Sequence, residues 1–226
     1  QLIYDRDLYF SEVGTWWALH VNLVHNPAHA YSFSWFFNHF NLNRFEKAAC
    51  VENLHRALQL SESRLPSPKT LDRDIACLLG SYSRSIPGVK GDPEESRECP
   101  LTELALFSHF RTSGYYQVHQ GMKNIPPHLF GYAMARAFPE LSDDGKMIDI
   151  TLFRAARQPN SPGKVFALTS ESLFETILQV ENDMPDTEIQ IAGLAGDRVI
   201  RSRKKNPLEW LDEYYADMEW RDQHAA

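Results

Sequence analysis

The sequence predicts a mainly α protein: a helical domain over residues 1–125, then a winged-helix-like C-terminal unit over 126–226 with a small β-hairpin. Three observations predict it. Apolar residues recur at helical spacing along much of the chain, as in Phe45, Ala48, Ala49, Leu54, Ala57 and Leu58. Helix-opening residues stand where those stripes begin: Thr15, Ser67-Pro68, Pro100, Pro126-Pro127, and Thr169 or Ser170. Near the end, helices give way to strand-like runs over 188–192 and 199–203, joined by a turn from Gly193 to Asp197. Helices followed by a hairpin is the order of a winged helix-turn-helix.

Taken in order, residues 1–15 are polar and aromatic, and Thr15 caps a helix over 16–25 that stops before Pro27. A helix over 30–40 has aromatic residues on several sides, including Tyr31, Trp35, Phe36 and Phe37, and is expected to be buried. A third helix spans 44–60, a loop follows over 61–68, and a fourth helix runs to 82 with Leu71, Ile75, Leu78 and Leu79 as its stripe. Residues 83–98 lack periodicity and hold two Pro and two Gly, which reads as an exposed loop. Pro100 opens a helix to 107, and 115–119 reads as a short strand. The second unit begins with a helix over 126–138, a strand or helix over 147–157 and a turn over 159–163. A helix over 171–181 and the hairpin follow, then a last helix from Pro207 to 217, with Trp210, Leu211, Tyr214 and Trp220 docking on the domain.

Composition excludes several classes. The longest apolar stretches fall well short of the roughly 18 residues a membrane span requires, and no signal peptide is visible. The three cysteines, Cys50, Cys77 and Cys99, form no CxxC pair, so reduced thiols in a cytoplasmic setting are expected. A net charge of −7 argues against a nucleic-acid binder that uses its whole surface, but permits a local basic patch or a metal-dependent nuclease. No GxSxG elbow, phosphate loop or deaminase signature occurs. The start at Gln1, in a polar segment, reads as a fragment with something missing upstream.

The runs DLYFSEVGTWWALHVNLVHNP, SFSWFFNHFN, KTLDRDIACLLGSY, CPLTELALF and SPGKVFAL occur in this order between Asp7 and Tyr215. Together they resemble a family of uncharacterised domains found in DNA phosphorothioation operons, the family of the SspB-type DNA-nicking proteins. The resemblance implies a part in bacterial DNA-backbone sulfur modification and defence, by opening one strand with Mg²⁺ as cofactor. The implied partners are double-stranded DNA and other proteins of the phosphorothioation system, with no membrane. The family pattern carries a further helical, DNA-binding-like segment ahead of the first run, which this chain lacks.

Metal-dependent phosphodiester hydrolysis needs carboxylates converging on Mg²⁺, a base or metal-bound water, and a donor near the leaving oxygen. Within the matched runs, Asp7, Asp74 and Glu103 are the expected metal ligands, His20 the base or its orienter, and Asn22 a polar positioning group. Asp72 and Asp74 cannot share one helix face, so one at most points into a site. His20 and Asn22 sit inside an apolar helix, where a buried, hydrogen-bonded structural role is the competing reading. A separate basic cluster, Arg198, Arg201, Arg203, Lys204 and Lys205, suits DNA phosphates from the hairpin. The helix before it carries Glu171, Glu175 and Glu181, an acidic face that phosphate repels. The alternative function is therefore a non-catalytic winged-helix module for DNA binding or protein interaction.

Overall fold

Aromatic crowding in two adjacent helices decides where the core lies. The computed structural model describes residues 2–60, 65–86, 99–141, 146–184, 188–194 and 197–224. After α1 (Leu2–Arg6), α2 (Val13–Val24) and α3 (Tyr31–His39) bury Trp17, Val21, Val24, Trp35, Phe36 and Phe37. Phe37 stacks on Phe107 with ring centroids 5.7 Å apart, and Trp17 meets Phe166 edge-on at 5.2 Å. Burying each such side chain contributes on the order of 2–3 kcal/mol. One buried cluster runs from these helices through both halves of the chain.

β1 (Arg44–Glu46) leads into α4 (Lys47–Leu60), and α5 (Pro68–Tyr82) passes directly into β2 (Ser83–Ile86). The start of α5 follows its sequence signal: Pro68 opens it, and Ser67 Oγ accepts a hydrogen bond from Thr70 N at 3.2 Å. A 3₁₀ turn (Pro100–Leu104) precedes β3 (Phe107–Phe110) and β4 (Tyr115–Val118). The four strands form a sheet in the order β1-β4-β3-β2, parallel between β2 and β3 and antiparallel elsewhere.

This sheet departs from the helical domain expected of the sequence, in which 115–119 is the one strand. The helix expected over 44–60 starts at Lys47, because Phe45 pairs across the sheet with Tyr116, their rings stacked 5.8 Å apart. The helix expected over 100–107 is cut short where Ala105 turns left-handed (φ 51°) and sends Phe107 into a strand. The expected loop over 83–98 opens with β2, and residues 87–98 lie outside the described residues.

The second half contains α6 (Pro127–Ala137), β5 (Met147–Thr151), α7 (Leu152–Arg157), α8 (Pro162–Val165) and α9 (Ser170–Asp183). β6 (Ile189–Leu194), β7 (Asp197–Arg203) and α10 (Pro207–His224) complete it. β7 is central in an antiparallel sheet ordered β5-β7-β6, with Ile200 opposite both Ile150 and Ile191. The ambiguous segment 147–157 is a strand followed by a helix, with Thr151 capping the junction. At the start of α9 a capping box forms: Ser172 N donates to Thr169 Oγ1 at 3.1 Å, and Thr169 N to Ser172 Oγ at 2.9 Å.

Trp210, Leu211 and Tyr214 dock α10 as expected, whereas Trp220 is 61% exposed. Two glycines permit that docking. A Cβ on Gly131 of α6 would lie 2.5 Å from the Trp210 indole, and one on Gly14 of α2 would lie 2.1 Å from the Tyr214 ring. The Tyr214 hydroxyl in turn accepts from Gly14 N at 3.1 Å. The fold is mainly α with two small sheets. Among the described residues no helix is long and apolar enough to cross a membrane.

Candidate functional site

His20 is fully buried, and both of its ring nitrogens are engaged. Nε2 lies 2.7 Å from Val165 O, which can only accept, so Nε2 carries the proton and Nδ1 accepts from the Tyr82 hydroxyl at 2.7 Å. Burial drives the ring down to a pKa of about 4, against the opposing effect of the Val165 carbonyl. His20 is thus neutral and has no nitrogen free for a substrate. Asn22 is only half-buried. Its Oδ1 accepts from Tyr132 OH and Arg136 Nη1, each at 2.9 Å, while its Nδ2 donates to Ala18 O. Beside this network the buried Nε2 of His25 has no hydrogen-bond partner among the described residues. Burial, with the Arg136 charge second, lowers His25 to about 4.

Asp7 closes the start of α2. Its carboxylate accepts from Ser11 N (3.0 Å), Ser11 Oγ (3.3 Å), Glu12 N (3.1 Å) and Thr15 Oγ1 (2.7 Å). Burial pushes this carboxyl up, but the donors from Thr15, Ser11 and Glu12 outweigh it and hold the pKa below its ordinary value. Thr15 has only one hydroxyl proton, given to Asp7, so the Tyr215 hydroxyl donates to Thr15 Oγ1 across 2.8 Å. Asp74 stands on the exposed face of α5, next to Asp72, which pairs with Lys47 at 2.8 Å. Glu103 is exposed on the 3₁₀ turn.

Among the described residues no three His, Cys, Asp or Glu side chains group so as to hold a metal ion. The trio Asp7, Asp74 and Glu103 does not fit Mg²⁺ as a set. The oxygens of Asp7 face inward onto four donors, and the other two carboxylates stand exposed on separate elements.

Glu103 lines a groove of about 960 Å³ over β2, β3 and β4, together with Arg84, Ser108 and His119. There Ser108 Oγ and His119 Nε2 lie 2.7 Å apart. Burial, and then the Lys123 charge, lowers the His119 pKa, which keeps the imidazole neutral near pH 7. A hydroxyl held by a neutral imidazole is the arrangement of a nucleophile and its base, with Arg84 in the same groove as a cation. Lys123 instead fastens the backbone: its half-buried ammonium, lowered by desolvation to about 8, donates to His119 O at 2.8 Å and Gly121 O at 3.0 Å. Sequence reasoning missed the Ser108–His119 pair. Only the β3–β4 register, with Ser108 opposite Gln117, brings the two together, and no motif spacing signals it.

The hairpin cations are largely paired within the protein. Arg201 makes a forked contact with Asp149 (2.8 and 3.0 Å), and Arg203 lies 3.9 Å from Glu188. Lys205 is buried against Glu188, Glu213 and the Trp210 ring. Arg198 lies over the Phe174 ring at 4.4 Å, and Lys204 is half-buried.

The chain resembles two solved structures, a crystal structure of SspB and a magnesium ion-bound crystal structure of SspB. Each is 22% identical, with a TM-score of 0.74, and the match covers 97% of this chain and 68% of the SspB chain. At that identity the likeness shows a shared fold. No curated protein matches the sequence. The family model described as "Protein of unknown function (DUF4007)" matches residues 1–215. With that match running over nearly its whole length, the chain belongs to the DUF4007 family.

Proposed function

We infer that the protein is a cytoplasmic component of a bacterial DNA phosphorothioation system that makes a Mg²⁺-dependent nick in one strand of double-stranded DNA. It acts with other proteins of that system. The observation that carries this reading is the fold shared with SspB over 97% of the chain, one of the two SspB structures being magnesium ion-bound. The five sequence runs that resemble the family support it. Mg²⁺ is commonly held by one or two carboxylates together with substrate phosphates, so dependence on it does not require a cluster of three protein ligands.

Within this reading Asp74 and Glu103 are the accessible carboxylates, and Asn22, in its network with Tyr132 and Arg136, is the positioning group. His20 acts from behind, through Tyr82 and Val165. The chain divides at 125/126 into a site-bearing unit and a winged-helix unit. Support for the latter comes from the order helix, strand, helices, hairpin, with β5 pairing on β7. The test is relaxation of supercoiled plasmid with Mg²⁺ and with EDTA. Open circles are expected with Mg²⁺ alone, and Asp74→Ala should lose most of that conversion. No conversion by the folded protein with any divalent ion would sink the enzyme reading; wild-type conversion by Asp74→Ala would remove Asp74 from the site.

The same C-terminal topology favours a second reading, a non-catalytic winged-helix module that binds DNA or a protein partner. In that case Arg201→Ala with Lys204→Ala weakens DNA retention and metal has no effect.

A further inference from the structure

Most of the basic side chains on the hairpin are neutralised from within. Among the described residues, Arg157 and Lys164 are not. Arg157, the last residue of α7, and Lys164, in α8, line a cleft of about 420 Å³ beneath the α3–β1 connection. Asn41, Asn43, Gln120, Thr169 and Ser170 supply the rest of its polar lining, and among the described residues no Asp or Glu borders it. Neither cation is ion-paired among the described residues. Arg157 is exposed and Lys164 half-buried, so both are reached from solvent.

Two cations held side by side repel, and more strongly where apolar walls lower the local dielectric. Phe36, Phe37 and Phe40 form such a wall here. The repulsion is felt within the protein: burial first, and then the charge of Arg157, hold the Lys164 amine below its ordinary value. A chain of net charge −7 in which such a pair has no counter-charge among the described residues has a local preference for an anion opposite to its overall field. The donors match phosphate. A guanidinium fork, a point-charge ammonium and side-chain amides can meet several oxygens of one tetrahedral group at once.

We propose that this cleft is a phosphate-binding site that seats a backbone phosphate of duplex DNA. The inference rests on the DNA reading above and gives it a location away from the hairpin. A polymer backbone suits a cleft open at the surface, and the contact is sequence-independent, as phosphate contacts are.

The test is binding of a fluorescent duplex at several salt concentrations. It compares the wild-type protein, the pair Arg157→Glu with Lys164→Glu, and the milder pair Arg157→Gln with Lys164→Gln. Unfolding midpoints check that each variant is folded. The charge-reversed pair is expected to bind about tenfold more weakly or worse, and the neutral pair to lower the log–log salt slope by about 2. In parallel, inorganic phosphate and a mononucleotide are titrated against isotope-labelled lysine, with the Lys164 signal followed by NMR. A wild type that binds duplex no better than either folded variant overturns the cleft assignment and leaves the DNA reading standing. A wild type that binds no duplex, while phosphate or nucleotide shifts Lys164, overturns the DNA reading and shows the cleft to serve a free phosphate. Neither duplex binding nor a phosphate shift overturns both.

Discussion

Asp7, just ahead of α2, and His20, within it, are both titratable groups removed from water, and the fold treats them in opposite ways. Asp7 is kept charged by four hydrogen-bond donors, while His20 is kept neutral by one donor, one acceptor and complete burial. Each ties distant parts of the chain together. Asp7 reaches α10 through Thr15 and Tyr215, and His20 reaches α5 through Tyr82 and α8 through Val165. The difference teaches that a polar residue in an apolar helix need not face a substrate; here the first duty of both is to join elements.

The most severe break of this comparison is His20→Ala. It removes a ring packed edge-on against Phe37 and Tyr82, and leaves the Tyr82 hydroxyl and the Val165 carbonyl without their partner. A loss of about 3–5 kcal/mol is expected from the cavity and the orphaned groups, read by urea denaturation. A loss within the scatter of surface substitutions would contradict its role as a structural joint.

Acid titration sharpens the contrast. The folded His20 titrates at about 4 and the unfolded side chain at 6.5, so the unfolded chain takes up the proton first. Its contribution is complete above the unfolded value and is lost as pH falls towards the folded one, by roughly 3 kcal/mol. His25, also lowered to about 4, adds to the loss in the same window. Asp7 acts lower: its folded pKa is depressed, so its stabilisation is present above the ordinary 3.8 and vanishes as pH drops through the folded value. Denaturation midpoints should therefore begin to fall below pH 6.5, and a His20→Gln variant should fall less steeply there. An identical slope in that variant would mean that His20 titrates normally in the folded state.

Much of the fold was legible because long helices repeat their signal. The stripe in 171–181 and a cap at Thr169 or Ser170 locate α9 (Ser170–Asp183) nearly to its ends, the structure choosing Thr169, and the turn signal from Gly193 to Asp197 identifies the β6–β7 hairpin. Of the first sheet only β4 (Tyr115–Val118) was legible, as the short strand expected over 115–119. The strands of this sheet are three or four residues long, and β1 pairs with β4, which lies about 70 positions further along, so neither periodicity nor a local turn announces the sheet. Phe45 fits a helical stripe and a strand equally well, and its cross-strand contact with Tyr116 selects the strand. The candidate site was legible only in residue type. Spacing cannot show that Asp7 is enclosed by donors, that Ser108 meets His119, or that Arg157 and Lys164 face one cleft across the turn that contains Pro159 and Asn160.

The mildest break is Asp7→Asn, which keeps shape and removes charge. Both carboxylate oxygens accept: Oδ1 from the backbone and hydroxyl of Ser11, Oδ2 from Glu12 N and the Thr15 hydroxyl. An amide can turn only one oxygen towards these donors. Its NH₂ group must then face either Ser11 or the Glu12–Thr15 pair, placing donor against donor. Loss of charge-assisted hydrogen bonds at one such position costs about 2 kcal/mol. The effect should reach beyond α1, because reorienting the Thr15 hydroxyl also disturbs the Tyr215 contact that fastens α10. Amide exchange in α10 should therefore quicken in Asp7→Asn along with the drop in midpoint. If exchange quickens only in residues 2–15, Asp7 is a local cap and the link to α10 is carried by Tyr214 and Gly14 instead.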